Sequence, residues 1–462
     1  MGTYLDFIDG KRKSLQPCGF DPVGDLNKHL FDWQAVIVEW SLKRGRAALF
    51  EECGLGKTLQ QLSWAEQVVK KTNKPVVLHC PVGVRQQTKS ESEKFGIDVE
   101  VRIANEQSDV VTGINLVNYE KLHHFDPSTF AGVVLDESSI LKNAFGKIKR
   151  QLVDGYSKTP YRLACTATPS PNDHIELGTH AEFLGVCERE DMLSKYFVHD
   201  GSDTSKWRLR GHAKKHFWEW VASWSVCISK PSDIGGDDKG YELPELYIRR
   251  HTVEAKEDKH PDGFLFNTSG ISATTVHEEK RLTCEARCER VADLVNKWDE
   301  PVIVWCDTNY EADMLLEKLN DCSEIRGSHK ESYKEQLLHE FSTGKVTKLI
   351  TKPSVAGFGM NWQHCRRQVF AGLSYSFESY YQAVRRCWRF GQKQDVYVDI
   401  VLANTEASLH SAVASKEADH RLMRSEMAEA MRATSRKNIG IDKGKVRYAP
   451  KINADIPSFI GS

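Results

Sequence analysis

The sequence predicts an α/β protein of two doubly wound parallel sheets in tandem, with a helical insertion and linker between them. Three observations predict it. Short apolar runs alternate with stretches of helical period over residues 25–185. A glycine-rich segment separates the first of these runs from the helix after it. The alternation breaks off over 186–278 and resumes over 279–404.

The elements follow in order. Residues 1–24, with Pro17, Cys18, Gly19, Pro22 and Gly24, read as an irregular N-terminal arm. The first lobe, 25–185, has strands expected near 47–50, 76–80, 114–118, 133–135 and 161–166. Several of these runs are apolar throughout, as strands covered on both faces are. The helix after the first strand carries Leu59, Leu62, Ala65 and Val69 on one face. Residues 186–278 are rich in Trp, Gly and Asp, and the run from Pro231 to Asp238 is a loop signal. The second lobe, 279–404, opens with a helix near 280–298 and has strands expected at 302–306, 348–351, 368–371 and 396–402. Residues 405–436 read as one charged helix bearing Ala and Met. The tail 437–462, with Gly440, Gly444, Pro450 and Pro457, reads as loose.

Composition fits this plan. The chain has 462 residues, enough for two or three domains, and is 40% hydrophobic and 27% charged. No apolar run reaches the length of a membrane span, and residues 1–16 lack an apolar targeting core. No membrane partner is therefore expected. The twelve cysteines show no C-x-x-C spacing and read as reduced thiols of a cytoplasmic protein. A net charge of −1 does not advertise nucleic acid, so any binding to phosphates must be local. The basic and aromatic run from Lys206 to Trp218 is one candidate; the alternative is that Trp218, Val221 and Trp224 pack a helix core.

Chemistry concentrates in three places. Glu51-Glu52-Cys53-Gly54-Leu55-Gly56-Lys57-Thr58 stands between strand and helix. Glycines there let backbone amides and the helix N-terminus wrap a polyphosphate. Lys57 would meet the β- and γ-phosphates and Thr58 would hold Mg²⁺. The general pattern places a glycine where this chain has Glu51. Next, Val133-Val134-Leu135-Asp136-Glu137 is a buried-strand signal ending in two carboxylates. Asp136 would hold Mg²⁺ and Glu137 would orient and deprotonate water; the alternative is a strand ending in solvated acids. Third, Gln382, Arg385, Arg386 and Arg389 fall on a predicted helix with Arg386 and Arg389 on one face. A positioned arginine accelerates phosphoryl transfer by about 10³–10⁵-fold.

In order and number these motifs resemble superfamily 2 helicases, specifically the Swi/Snf-type branch of DNA translocases and, within it, compact bacteriophage and prophage helicases. The phosphate loop is similar to D-E-M-G-L-G-K-T, and Asp136-Glu137-Ser138-Ser139 stands where that branch has D-E-A-H or D-E-G-H. Gln382, Arg386, Arg389 and Gln392 fit Q-x-x-x-R-x-x-R-x-G-Q. The resemblance implies two RecA-like lobes, ATP as fuel, Mg²⁺ as its metal and DNA, duplex or single-stranded and without sequence preference, as partner. It implies that Gln34 of Phe31-Asp32-Trp33-Gln34 reads adenine, and that Lys57, Asp136, Glu137, Gln382, Arg386 and Arg389 are catalytic. It assigns Pro81, Tyr119, Thr166, Thr168, Gly357, Gly359 and Asn361 to nucleic-acid contact or coupling. Ser139 departs from the histidine usual at the fourth position of its motif, and Arg385 from a glycine. The function expected is a DNA-dependent ATPase acting as a helicase or duplex translocase. The alternatives are an RNA-directed helicase or nucleoprotein remodeller, and a clamp that binds without hydrolysis.

Overall fold

A computed structural model describes residues 17–142, 146–170, 173–199, 207–254, 280–356, 361–374 and 376–406, with short helical pieces at 415–417, 425–429 and 431–432. Residues 1–16, most of the 405–436 segment and the 437–462 tail lie outside the described residues, as do Lys206, Gly357 and Gly359. The chain divides into two compact units between Tyr241 and Glu242, and the described residues from 425 to 432 belong to the first.

The first unit is built on a seven-stranded sheet. Its strands are β1 (Arg46–Glu51), β2 (Val76–Cys80), β3 (Val101–Ile103), β4 (Ile114–Asn118), β5 (Gly132–Asp136), β6 (Tyr161–Cys165) and β9 (Ser225–Ile228), in the order β3-β4-β2-β5-β6-β1-β9. Every pairing is parallel. A small antiparallel pair, β7 (Phe197–His199) and β8 (Trp207–Leu209), stands apart from it. Successive residues of a strand point to opposite faces, and here both faces are covered. Ala48, Phe50, Val133 and Leu135 join one core, while Ala47, Leu49 and Val134 join the other. That double burial is why the strands read as unbroken apolar runs. Each fully buried Leu or Val contributes about 1.5–3 kcal/mol.

Helices fill the crossovers that parallel pairing demands. The helix Lys57–Thr72 lays Leu59, Leu62, Ala65 and Val69 into the second core, as its period predicts. Trp218, at the end of the basic and aromatic run, and Val221 and Trp224 after it are fully buried in the first core, so they pack the helix Lys214–Ala222 and its exit. Met427 and Met431 of the C-terminal helical residues are buried in that same core, and Lys214 pairs with Glu426 at 2.9 Å.

The second unit carries a six-stranded parallel sheet: β10 (Leu246–Val253), β11 (Val302–Trp305), β12 (Cys322–Ile325), β13 (Lys348–Thr351), β14 (Arg367–Phe370) and β15 (Val396–Ala403), ordered β10-β15-β14-β11-β13-β12. Segment 186–278 thus supplies an edge strand to each sheet, β9 and β10. Neither run announces itself. The first is four residues long, and the second carries Arg249, Arg250 and His251 because an edge strand stays largely exposed.

A buried ion network ties the second unit together. Arg287 and Glu311 are both wholly buried and pair at 2.6 Å. Arg287 also donates to Thr283 Oγ1, to the carbonyls of Lys280 and Ala371, and lies 3.5 Å from Glu406. Glu311 in turn accepts from the backbone N–H groups of Asp307 and Thr308, and Glu406 from that of Ala403. The loops leaving β11, β14 and β15 are thereby held by one guanidinium. A β-carbon at Gly372 would lie 2.7 Å from it, so the crossing needs glycine. Removing one partner strands a buried charge. Arg287→Ala is expected to destabilise the second unit by about 3–5 kcal/mol, seen as a lowered urea midpoint.

Candidate functional site

The strand ends of the first unit converge. Parallel strands put all their C-terminal ends on one edge, where open α/β sheets hold ligands. The glycine loop leaves β1, Asp136 closes β5, and Thr166 follows β6, which pairs with both of those strands. Pro81 follows β2, the other neighbour of β5, and Tyr119 follows β4.

Gly54 and Gly56 adopt φ of +90° and +79°, a region that side chains disfavour. A β-carbon on Gly56 would also sit 2.5 Å from Gln34 Nε2. Lys57 begins the following helix and donates to the loop carbonyls of Glu51 (2.9 Å) and Glu52 (3.1 Å). The first turn of such a helix leaves N–H groups without intrahelical partners. Two left-handed glycines, a helix start and a lysine held over the loop together fit a polyphosphate. Gln34, expected to read adenine, is buried; it accepts from Phe31 N–H at 2.9 Å and donates to the Leu55 carbonyl at 2.8 Å. It therefore braces the loop.

Glu51 is fully buried beneath that loop. Its Oε2 accepts from Gln60 Nε2 at 2.7 Å, and Oε1 is a buried oxygen with no hydrogen-bond partner. Burial raises its carboxyl to about 7, with Lys57 and Gln60 opposing the rise.

The carboxylate pair lies beside the loop's helix. Gln61 Nε2 donates to Asp136 Oδ1 at 2.8 Å, joining the two motifs directly. Glu137 has φ of +57° and is 9% exposed; Thr166 Oγ1 lies 3.4 Å from its Oε2. Thr168 N–H donates back to Thr166 Oγ1 at 3.0 Å. Thr166 and Thr168 are wholly buried. Tyr119 is also inside the fold, donating its hydroxyl to the Asp136 carbonyl at 2.7 Å. Burial, then Asp136, pushes that hydroxyl far above its ordinary range, so it remains a donor. Pro81 is partly buried. Asp136, held by Gln61, offers a carboxylate oxygen of the kind Mg²⁺ takes.

The second unit corrects the arginine reading. The helix there is Phe377–Val384 and ends before the arginines, which lie on tight turns. Beyond it Arg386 N–H returns to Ala383 O and Cys387 N–H to Val384 O, bonds three residues back that tighten the chain into turns, and Trp362 N–H donates to Arg386 O at 3.0 Å. Helical periodicity therefore does not set the direction of Arg386 and Arg389. Arg386 Nε donates to the Gln382 carbonyl at 3.0 Å, and Gln382 is buried. Gln392 donates to the carbonyl of Gln363 at 2.9 Å, fastening the turn. Arg385 lies over the Trp388 ring at 4.8 Å, a packing role that a glycine would not fill. Asn361 is partly buried.

Residues 33–191 match the SNF2-related domain and residues 286–391 the helicase conserved C-terminal domain. The chain carries the two ATPase domains of a Swi/Snf-type superfamily 2 protein. A chromatin-remodelling protein of Arabidopsis thaliana, CHROMATIN REMODELING 8, is 32% identical and aligns with 86% of this chain and 42% of its own length. The Caenorhabditis elegans homologue of the SWI/SNF-related, matrix-associated, actin-dependent regulator of chromatin subfamily A-like protein 1 is 22% identical over 83% of this chain and 60% of its own. The chain thus spans about half the length of these relatives. Among solved structures, a Sulfolobus solfataricus SWI2/SNF2 ATPase core in complex with double-stranded DNA covers 91% of this chain and 99% of its own at 16% identity, with a TM-score of 0.42.

Within these Swi/Snf-type domains, motif reading overlooked Gln60, Gln61, His79, Tyr156 and His180. Gln60 and Gln61 are polar residues buried on a helix of apolar period, and that mismatch was their only signal. His79 carries none: it is buried and bonded to the Tyr156 hydroxyl at 2.7 Å through a contact 77 residues away in sequence.

Glu51 generates a pH prediction. Its carboxyl ordinarily titrates near 4.5 and is raised to about 7 in the fold. Above 4.5 the unfolded chain releases this proton while the folded chain retains it, so stability falls as pH rises toward 7. Glu51→Gln, which keeps shape but cannot ionise, is expected to stabilise the protein by roughly 3 kcal/mol near pH 8.5 and hardly at all near pH 4.5. Urea midpoints of both proteins at the two pH values check this.

Proposed function

We propose that the protein is a DNA-dependent ATPase that translocates on duplex DNA or separates its strands. The observation carrying this reading is the Gln61–Asp136 hydrogen bond, which joins the glycine-loop helix to the carboxylate strand and so brings a phosphate cradle beside an acidic pair. Gly54, Gly56 and Lys57 would bind the triphosphate of ATP. Thr58 and Asp136 would hold Mg²⁺, which supplies charge neutralisation at the β- and γ-phosphates. Glu137 would accept the proton of the attacking water. Motif order assigns Arg386 and Arg389 of the second unit to the γ-phosphate, Gln382 beside them to the catalytic set, and Gln34 to adenine.

DNA as partner is supported by the names of the relatives, which are chromatin proteins. Binding without sequence preference follows if contacts go to phosphates and sugars. Pro81, Gly357, Gly359 and Asn361 are the residues we assign to that backbone, with Thr166 and Thr168 as the link to Glu137. The motif set supports kinship with compact phage and prophage helicases. Every cysteine described is a thiol, which suits action in a reducing cytoplasm.

ATP hydrolysis measured with single-stranded DNA, duplex DNA, forked DNA and RNA in parallel tests the reading. Duplex DNA is expected to stimulate most, and RNA little; the reverse order would establish an RNA-directed enzyme. Glu137→Gln and Lys57→Ala are each expected to lower the stimulated rate at least 10²-fold. Polymer-dependent ATP binding without turnover in the parent protein would establish the clamp instead.

A further inference from the structure

Glu137 holds a left-handed backbone, φ +57°, at the residue proposed to activate water. A β-carbon disfavours that region, and such conformations persist only where the surroundings over-determine them. Here the surroundings grip the chain on both sides of it. On the N-terminal side the buried Tyr119 donates its hydroxyl to the carbonyl of Asp136, the carbonyl of the peptide entering Glu137 (2.7 Å). The Tyr119 ring stacks on His79 with centroids 5.9 Å apart, and His79 is bonded to Tyr156, so the hydroxyl is aimed by packed neighbours. On the C-terminal side Ser138 Oγ lies 3.1 Å from His180 Nε2, with both residues wholly buried. His180 Nδ1 faces the Glu176 carbonyl at 3.5 Å. A carbonyl only accepts, so Nδ1 carries the ring proton and Nε2 accepts from Ser138. His180 stands on the helix Leu177–Leu184, far along the chain from the carboxylates.

We propose that Tyr119 and the Ser138–His180 pair are positioning residues for hydrolysis, clamping the Asp136–Glu137–Ser138 backbone so that the Glu137 carboxylate is presented to water. His180 then supplies, from a separate helix, a histidine beside the motif that has Ser139 at its fourth position. Tyr119 directly follows β4, so the clamp also joins that strand end to Glu137. This proposal rests on the reading of Glu137 as the group that activates water.

The test uses full-length Tyr119→Phe, Ser138→Ala and the double variant, each deleting a hydroxyl with little change of volume. Steady-state ATP hydrolysis with saturating duplex DNA gives kcat and KM; DNA binding and thermal unfolding are measured alongside. Each single variant is expected to lower kcat roughly fivefold to tenfold, the scale of one hydrogen bond, and the double variant further. KM for ATP and the Kd for DNA should stay within about twofold, and Tm within roughly 5 °C. Ser225→Ala removes another wholly buried hydroxyl of the same unit, one that donates to the Val221 carbonyl at 2.8 Å and lies outside the clamp, and should leave kcat within about twofold. The proposal is overturned if both single variants keep the parent kcat, if KM and kcat change together, if Ser225→Ala loses as much kcat, or if the variants do not fold. A parent protein that hydrolyses ATP beside unaffected variants sinks this inference alone. A parent that does not hydrolyse ATP sinks the function above with it.

Discussion

In both sheets every strand runs the same way, and the placement of chemistry in this protein depends on that constraint. Parallel pairing forces each connection to cross back over a face, so helices cover both sides and the strands become apolar throughout. It also gathers the C-terminal ends on one edge. The glycine loop after β1, Asp136 at the end of β5 and Thr166 after β6 are widely spaced in sequence. They become neighbours because β5, β6 and β1 lie side by side.

Loops at such an edge have no ladder to hold them, and here buried polar groups take over that task. Gln34 and Lys57 bond to carbonyls of the glycine loop, and Gln61 holds Asp136. In the second unit Arg287 performs the same service for three loops at once. These arrangements differ in cost. Arg287 meets paired acids and carbonyls, so its charge is compensated on every side. Glu51 is wholly buried with one oxygen satisfied and one bare, and burial keeps its proton to about pH 7. A carboxyl under the phosphate cradle adds no second negative charge while it remains protonated.

Much of the architecture was legible beforehand, and the reason lies in burial. Nine strands were expected within a residue or so of where they form, because doubly covered strands of four to eight residues leave continuous apolar runs. The strands overlooked were β3, β9, β10 and β12, together with the small β7–β8 pair. They are short, or lie at a sheet edge, or both, where exposure admits polar residues and erases the pattern. The arginine segment failed differently. Its helical period is real through Val384, but the bonds of Arg386 and Cys387 then reach only three residues back, and Trp362 N–H, from a distant part of the chain, holds the Arg386 carbonyl.

The sequence by itself determined the two parallel sheets, the glycine loop, the carboxylate pair and the buried faces of the helices, because those depend on local spacing and on which residues leave water. Only the tertiary structure decided that Gln34 braces the loop, that Tyr119 turns inward to the Asp136 carbonyl, and that His180 reaches Ser138 from another helix. Each of these is a hydrogen bond between residues many positions apart. Its existence depends on the three-dimensional packing that brings donor and acceptor within 3 Å or so, a distance that no periodicity along the chain encodes.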